Sequence, residues 1–203
     1  MAKRVGVLAL QGAVSEHLAA LKRVGAEATE VREAHQLEAL DGLILPGGES
    51  TTIGLLLTRF GLVEPLLQRA RQGLALWGTC AGMILLARRI HDGLPGQLAL
   101  GLLDIEVRRN ASGRQIDSCE VPLDITAMAG EPFPAVFIRA PLAVTWGPEV
   151  EVLARDGGGG AVALRQGNRL VTSFHPELSD DDRMHRYFVE ALCVERQRPQ
   201  VCR

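Results

Sequence analysis

The first half of the chain alternates short, uniformly apolar runs with segments whose apolar residues recur every three or four positions. The runs at residues 5–10 and 43–45 are typical of strands buried on both faces, and each ends at a loop that contains glycine. Between them, Val14, Leu18 and Leu21 have helical spacing. Because strands that alternate with helices form sheets with helices on both faces, the sequence predicts an α/β fold with an open, mostly parallel sheet.

The spacing of apolar residues predicts strands and helices along the whole chain. For the first half it predicts strands at residues 5–10, 27–31, 43–45 and 74–77, and helices at 14–24, 53–60, 63–72 and 83–90. The second half contains short runs bounded by turn residues, which predict antiparallel strands at 105–107, 119–125, 136–139, 152–155, 161–165 and 170–173. A closing helix is expected at 181–193 with Asp180 as its cap. No linker interrupts the pattern, so we expect a single domain over residues 1–203.

Charge and cysteine content restrict the partners of the chain. It has 22 Lys and Arg against 24 Asp and Glu, and a net charge of −2 predicts no nucleic-acid surface. Its cysteines have neither CxxC nor zinc-ligand spacing, which predicts reduced thiols and no metal site; they are Cys80, Cys119, Cys193 and Cys202. The apolar run near the N-terminus is too short for a signal peptide or a membrane span. We therefore expect a cytoplasmic protein with no membrane partner.

The strongest local signal is the sequence Gly-Thr-Cys-Ala-Gly around Cys80, between a predicted buried strand and an apolar helix. A nucleophile in a sharp strand-to-helix turn needs small residues two before and two after it, here Gly78 and Gly82. The start of the helix favours the thiolate, and the amide of Ala81 would point toward a developing oxyanion. The pattern therefore predicts a nucleophilic Cys80; the alternative is a buried structural cysteine.

A second signal, Ser-Phe-His-Pro-Glu, follows the last predicted strand. Residues two apart in an extended segment share a face, so His175 and Glu177 can pair, and a carboxylate beside an imidazole fixes its tautomer. This predicts His175 as the base and Glu177 as its partner; the alternative is a surface ion pair. The other histidines lack such an arrangement and are expected on the surface or on helix faces; they are His17, His35, His91 and His185.

Two glycine-rich segments remain. The loop at residues 46–52 follows the third predicted strand, and its paired glycines allow backbone amides to approach a ligand at the sheet edge that also carries Cys80. Its alternative is a simple turn. The glycines at residues 157–160 lack the Lys-Ser/Thr of a phosphate loop and predict a hairpin turn.

With these motifs in place, the chain resembles the class I, triad-type glutamine amidotransferases and, within them, the glutaminase subunits of pyridoxal 5′-phosphate synthase. Gly-Thr-Cys-Ala-Gly followed much later by His-Pro-Glu carries the broader resemblance. The narrower one rests on five blocks spread over nearly the whole chain, at residues 6–12, 46–52, 109–115, 137–141 and 172–178. Other amidotransferases do not resemble this chain in the blocks that begin at Arg109 and Phe137.

The resemblance implies hydrolysis of L-glutamine to glutamate and ammonia, with Cys80 as nucleophile, His175 as acid and base, and Glu177 orienting His175. It implies an oxyanion hole formed by the amides of Gly48 and Ala81. It implies a glutamine site lined by Gly47, Gly48, Glu49, Ser50, Arg109, Ile138 and Arg139. A guanidinium suits the α-carboxylate of glutamine. It also implies no cofactor, and a (β/α)₈-barrel synthase subunit as the partner that consumes the ammonia.

Three alternatives stay open at this point. A DJ-1-like cysteine hydrolase or chaperone has a similar turn, although the His-Pro-Glu segment and the loop at 46–52 count against it. A catalytically silent scaffold is disfavoured by the joint presence of Cys80, His175 and Glu177. An amidotransferase that feeds a different synthase would be distinguished by its partner.

Overall fold

A computed structural model of the protein describes residues 1–109 and 118–193. Residues 110–115 of the Arg109 block and Cys202 lie outside the described residues. The described strands are β1 (Arg4–Leu8), β2 (Glu27–Val31), β3 (Gly42–Leu45), β4 (Ala75–Thr79), β5 (Ala87–Ile90), β6 (Leu103–Arg108), β7 (Cys119–Leu123), β8 (Phe133–Phe137), β9 (Leu142–Trp146), β10 (Glu151–Arg155), β11 (Ala161–Gln166) and β12 (Arg169–Thr172). The α-helices are α1 (Val14–Arg23), α2 (Ser50–Arg59), α3 (Val63–Arg71), α4 (Ala81–Leu86) and α5 (Arg183–Tyr187).

Ten of these strands form one sheet in the order β2-β1-β3-β4-β12-β11-β9-β6-β5, with β10 paired to β11. The pairings from β2 through β12 are parallel, and the antiparallel pairings all involve strands from the second half. Strands β7 and β8 form a separate antiparallel pair. The predicted α/β fold with antiparallel strands in the second half is confirmed.

Helices cover both faces of the sheet, and side chains alternate between the faces along each strand. In β3, Leu43 and Leu45 pack on the side of α2, α3 and α4, while Ile44 packs on the side of α1 and α5. This two-sided burial explains why the central strands are apolar throughout instead of alternating with polar residues. No helix in the described ranges has the length and apolarity that crossing a bilayer requires.

The helix predicted at residues 83–90 is wrong in its second half. Helix α4 ends at Leu86, and the chain continues as strand β5, which pairs in parallel with β6. The carbonyls of Leu85 and Leu86 accept hydrogen bonds from the amides of Leu100 and Leu102, at 2.8 and 3.0 Å. These long-range bonds replace the ones that would continue the helix, so tertiary pairing overrides local propensity.

The predicted closing helix also begins later than expected. Helix α5 starts at Arg183 after Asp182, so Asp180 is not its cap, and a π-helical segment (Phe188–Leu192) completes it. Asp182 binds Arg23 instead, with both guanidinium contacts at 2.7 Å. Strand β8 likewise ends at Phe137, two residues before the predicted end, because Arg139 has a left-handed φ of 44° that a strand does not accommodate. The glycines at 157–160 join the antiparallel pair β10–β11, as predicted.

Candidate active site

Three neighbouring central strands bring the predicted chemistry to one edge of the sheet. Strand β4 lies between β3 and β12, and all three run in parallel. Their carboxyl ends are therefore adjacent, since Leu45 pairs with Gly78 and Thr172 pairs with Thr79. The Gly47–Gly48 loop follows β3, Cys80 follows β4, and His175 follows β12, so residues far apart in sequence meet where open α/β sheets bind ligands.

Cys80 lies in a strained turn between β4 and α4. Its φ of 47° and ψ of −100° lie outside the regions that non-glycine residues normally occupy. A Cβ at Gly78 would overlap the backbone of Gly82, and a Cβ at Gly82 would overlap the backbone of Leu45. Only glycines allow this turn, as the sequence analysis expected for Gly78 and Gly82. The amide of Cys80 donates to the carbonyl of Thr172 at 2.8 Å, which fixes the turn against β12.

His175 and Glu177 form a buried pair beside that thiol. Their side chains meet at 2.8 Å between Nδ1 and Oε1, and the residues are only 8% and 6% exposed. Burial by itself lowers the pKa of His175, but the neighbouring Cys80 and the hydrogen-bonded Glu177 outweigh that effect and raise the pKa to about 10. The imidazole is therefore held as a cation at neutral pH, between the thiol and the carboxylate.

The loop after β3 passes close to this pair. A Cβ at Gly47 would overlap the ring of His175, so only glycine allows the loop to approach it. The carbonyl of Gly47 accepts from the amide of Ala13 at 3.1 Å. A Cβ at Gly48 would lie 2.5 Å from Oε1 of Gln11, and that oxygen accepts from the amide of Glu49 at 2.8 Å. Gln11 thus fixes the loop, a contact that the sequence did not predict.

An open cavity of about 410 Å³ lies in front of Cys80. It is lined by Gln11, Gly48, Glu49, Ser50, Cys80, Ala81, Ile84, Arg109, Ile138, Arg139 and His175. The structure thus brings together all predicted substrate residues except Gly47, which lies against His175 and is not in the lining. Glu177 is also absent from the lining, because it lies behind His175. The sequence missed Gln11 and Ile84 as lining residues.

The polar end of the cavity is an ion pair supported by neighbouring side chains. Arg109 Nη2 lies 3.3 Å from Glu49 Oε1, and its Nη1 donates to Gln97 Oε1 at 2.9 Å. Gln97 in turn donates to Ser50 Oγ at 3.0 Å. Partial burial raises the pKa of Glu49, but hydrogen bonds from the amides of Thr52 and Thr51 and from the hydroxyl of Thr52 lower it overall, so the carboxylate is ionised. A cation and an anion thus lie together, as a zwitterionic amino acid would require.

Two histidines expected on the surface or on helix faces are buried behind Glu177 instead. His17, on α1, and His185, on α5, are both fully buried. His17 Nδ1 lies 2.9 Å from His185 Nε2, and His17 Nε2 lies 3.2 Å from Thr79 Oγ1 and 3.4 Å from Glu177 Oε2. The surface interpretation was wrong because the period of each helix does not show that its histidine faces a polar group inside the core. The apolar spacing of α1, with its neighbours Val14, Leu18 and Leu21, was the available signal.

A smaller cavity of about 230 Å³ lies beyond Arg139, lined by Cys119, Phe137, Leu142 and Val162 among others. It is mainly apolar and has none of the predicted triad residues in its lining. The cavity in front of Cys80 is therefore the candidate active site.

Comparisons with known proteins cover nearly the whole chain. A family model described as the SNO glutamine amidotransferase family matches residues 7–195. The chain is 57% identical over 187 residues to the pyridoxal 5′-phosphate synthase subunit PdxT of Dehalococcoides mccartyi, covering 92% of this chain and 96% of that protein. It is 58% identical over 189 residues to the protein of the same name from Frankia alni, covering 93% and 94%. A crystal structure of a glutamine amidotransferase superposes with a TM-score of 0.87 at 53% identity, covering 93% and 98% of the two chains.

Proposed function

This chain belongs to the SNO glutamine amidotransferase family, and we propose that it hydrolyses L-glutamine through Cys80, His175 and Glu177 to supply ammonia for pyridoxal 5′-phosphate synthesis. One observation carries the assignment of the residues. The thiol of Cys80, in a turn that only glycines permit, lines the same cavity as a cationic His175 that Glu177 holds from behind. That arrangement faces a cavity with an ion pair at its polar end.

The ion pair supports binding of glutamine in one orientation. The guanidinium of Arg109 suits the α-carboxylate, and the carboxylate of Glu49 suits the α-ammonium group. Binding of the zwitterion exchanges the contact between these two side chains for contacts with the substrate. The carboxamide then extends toward Cys80 at the other end of the cavity, where Ile138 and Arg139 form the wall.

The first half of the reaction forms a thioester. The Cys80 thiolate attacks the carboxamide carbon, and the electron pair of the C=O bond moves to oxygen. The amides of Gly48 and Ala81 are the proposed donors to this oxyanion. As the intermediate collapses, the C–N bond breaks and His175 gives its proton to the departing nitrogen, which leaves as ammonia.

The second half releases glutamate. His175, now neutral, accepts a proton from water as the water oxygen attacks the thioester carbon. Collapse of this second intermediate breaks the C–S bond and leaves the Cys80 thiolate and the His175 cation, and the new carboxyl group loses its proton to solvent as glutamate departs. Glu177 Oε1 accepts from Nδ1 of His175 throughout, which keeps Nε2 directed toward the sulfur and stabilises the cation.

The acceptor of the ammonia is the partner in this proposal. Ammonia released into neutral water is largely protonated to ammonium, which is not a nucleophile, so hydrolysis without an acceptor wastes glutamine. The relatives are subunits of pyridoxal 5′-phosphate synthase by name. By resemblance the partner is the (β/α)₈-barrel subunit that builds the pyridoxal phosphate ring.

Glutamate release from L-glutamine tests the proposal, measured for the chain mixed with the candidate synthase subunit. We expect steady release by the wild-type complex and its loss in Cys80→Ala. The matched control is Cys119→Ala, which changes a partly exposed cysteine outside the cavity in front of Cys80 and should keep wild-type turnover. Wild-type turnover by Cys80→Ala would exclude the proposed nucleophile.

A further inference from the structure

One carboxylate oxygen of Glu177, Oε2, lacks a hydrogen bond within the described residues. Glu177 uses Oε1 to bind His175, while Oε2 is buried and makes no hydrogen bond that meets ordinary geometry within the described residues. His17 Nε2 lies 3.4 Å from this oxygen, with both side chains fully buried. A buried carboxylate oxygen without a donor is costly, and catalytic hydrogen bonds are often long before substrate binds. His17 is therefore placed to be the donor.

The tautomer of His17 decides whether it can donate. If Nε2 carries the hydrogen, it can donate to Thr79 Oγ1 at 3.2 Å or, after a small rotation, to Glu177 Oε2 at 3.4 Å, and Nδ1 accepts from His185 Nε2 at 2.9 Å. His185 Nδ1, which has no partner in the described structure, then needs no acceptor because it carries no hydrogen. In the opposite tautomer, His185 Nδ1–H would be an orphaned buried donor, and a lone pair of His17 would face the carboxylate. The first arrangement avoids both costs.

His17 and His185 are both neutral, as this arrangement requires. Burial lowers the pKa of His17 well below 6.5, and the neighbouring histidines lower it further. Burial also lowers the pKa of His185, to about 4, against a smaller opposing effect of Asp182. Each ring therefore carries one hydrogen, and the contact of each ring fixes the tautomer of the next.

We propose that His17 is a positioning residue for the reaction, donating Nε2–H to Glu177 Oε2 and so holding the carboxylate against His175, with His185 fixing the tautomer of His17. This inference rests on the proposed glutaminase function. It extends the line of contacts from Cys80 through His175 and Glu177 to helices α1 and α5 on the far face of the sheet.

The position of His17 predicts which kinetic constant it affects. Neither His17 nor His185 lines the substrate cavity, so their loss leaves glutamine binding intact. A carboxylate with one free oxygen can rotate away from His175, which weakens the orientation of the imidazole in both proton transfers. The expected effect is therefore on kcat, with KM unchanged. A purely structural role would lower the amount of folded protein without changing kcat per folded molecule.

The test compares His17→Leu with His17→Gln in the complex with the synthase subunit, using L-glutamine and glutamate release. Leucine fills the site without a donor, whereas the amide nitrogen of glutamine can take the place of Nε2. We expect His17→Leu to lower kcat by about 10- to 100-fold, the range found for groups that orient metal-ligating side chains from behind. His17→Gln should recover most of that loss at unchanged KM. His35→Gln, at an exposed histidine, is the matched control and should equal wild type.

Nitrogen-15 chemical shifts of the His17 ring in the free chain test the contact without any assay. They should show hydrogen on Nε2 and none on Nδ1. Hydrogen on Nδ1 would overturn the proposal, as would equal kcat for folded His17→Leu and wild type, or a folded His17→Gln no better than His17→Leu. Should His17→Leu not fold, His17→Gln and the ring shifts decide. Absence of glutamate release from the wild-type complex would instead count against the proposed function, while the ring shifts still decide the contact.

Discussion

The two sides of the His175 imidazole differ in burial, charge and origin in the sequence. In front, the cavity contains ionised side chains that are partly open to solvent, with the Glu49 side chain 51% and that of Arg109 17% exposed. Behind, Glu177 lies against neutral His17, which in turn contacts neutral His185, and both rings are fully buried. The front can exchange its contacts for those of a polar substrate, whereas the rear can only hold its groups in place. In the proposed mechanism, substrate recognition and alignment of the triad are thus separate, so they should fail separately when changed.

The largest expected effect on kcat comes from changing His175, which lies between the two sides. His175→Asn removes the acid and base, and by analogy with other triads we expect a loss of about 10⁶ in kcat, against about 10⁴ for Glu177→Gln. The gap arises because Glu177→Gln disturbs orientation and charge but leaves the base. Glutamate release in the complex measures both. A folded Glu177→Gln with wild-type activity would remove Glu177 from the site.

The next effect concerns the partner. We expect low glutamate release from the chain alone and a rise of about 10²- to 10³-fold when the synthase subunit is added. This is the effect on rate of gaining one hydrogen-bond donor to the oxyanion. The loop at Gly47–Gly48 is the element expected to change, because glycines allow a peptide flip at little steric cost. Such a flip would break the 3.1 Å bond from Ala13 to Gly47. Equal turnover with and without the partner at saturating glutamine would contradict this dependence.

A smaller effect is expected when only the front is changed. Arg109→Ala removes a charge-assisted contact to the α-carboxylate and should raise KM by about 10- to 100-fold with little change in kcat. Arg108→Ala changes the exposed neighbour at the end of β6 and is the matched control. Initial rates over a range of glutamine concentrations separate the two constants. A fall in kcat alone for Arg109→Ala would show that front and rear are not separate.

Titration of the histidine rings tests the difference between the two sides without any change to the sequence. His175 should stay doubly protonated from neutral pH up to about 10, because Cys80 and Glu177 raise its pKa. His185 should stay neutral down to about pH 4. The neutral His185 ring therefore contributes stability to the fold above its ordinary pKa of 6.5. This contribution is lost as the pH falls toward 4. Nitrogen-15 shifts against pH follow each ring, and protonation of His185 near pH 6.5 would contradict the account.

The sequence predicted the front much better than the rear. The front residues lie in loops with distinctive composition, such as the paired glycines at 47–48 and those around Cys80, where backbone geometry demands particular residue types. His17 lies on a helix whose apolar spacing was recognised, but no local pattern shows that a core histidine meets Glu177, 160 positions later. Contacts of that kind depend on how α1 packs on the sheet, which is a property of the fold.

The errors in secondary structure have the same origin. The apolar run at residues 83–90 suits a helix, and only its pairing with β6 makes its second half a strand. Strand β9, absent from the prediction, contains Val, Thr and Trp in Leu-Ala-Val-Thr-Trp, residue types that favour strands, so that signal was available. Arg139, predicted at the end of a strand, takes a left-handed conformation beside the cavity. Local sequence predicted the type of most elements, whereas long-range pairing determined where they end.

Identification of the residue that becomes covalently bound to substrate tests the account most directly. The protein in complex with the synthase subunit is incubated with an electrophilic glutamine analogue, digested and analysed by mass spectrometry, with His175→Asn as a parallel sample. We expect one adduct, on the peptide that contains Cys80, formed much more slowly in His175→Asn and prevented by excess glutamine. Labelling of Cys119 or Cys193 with Cys80 unmodified would contradict it.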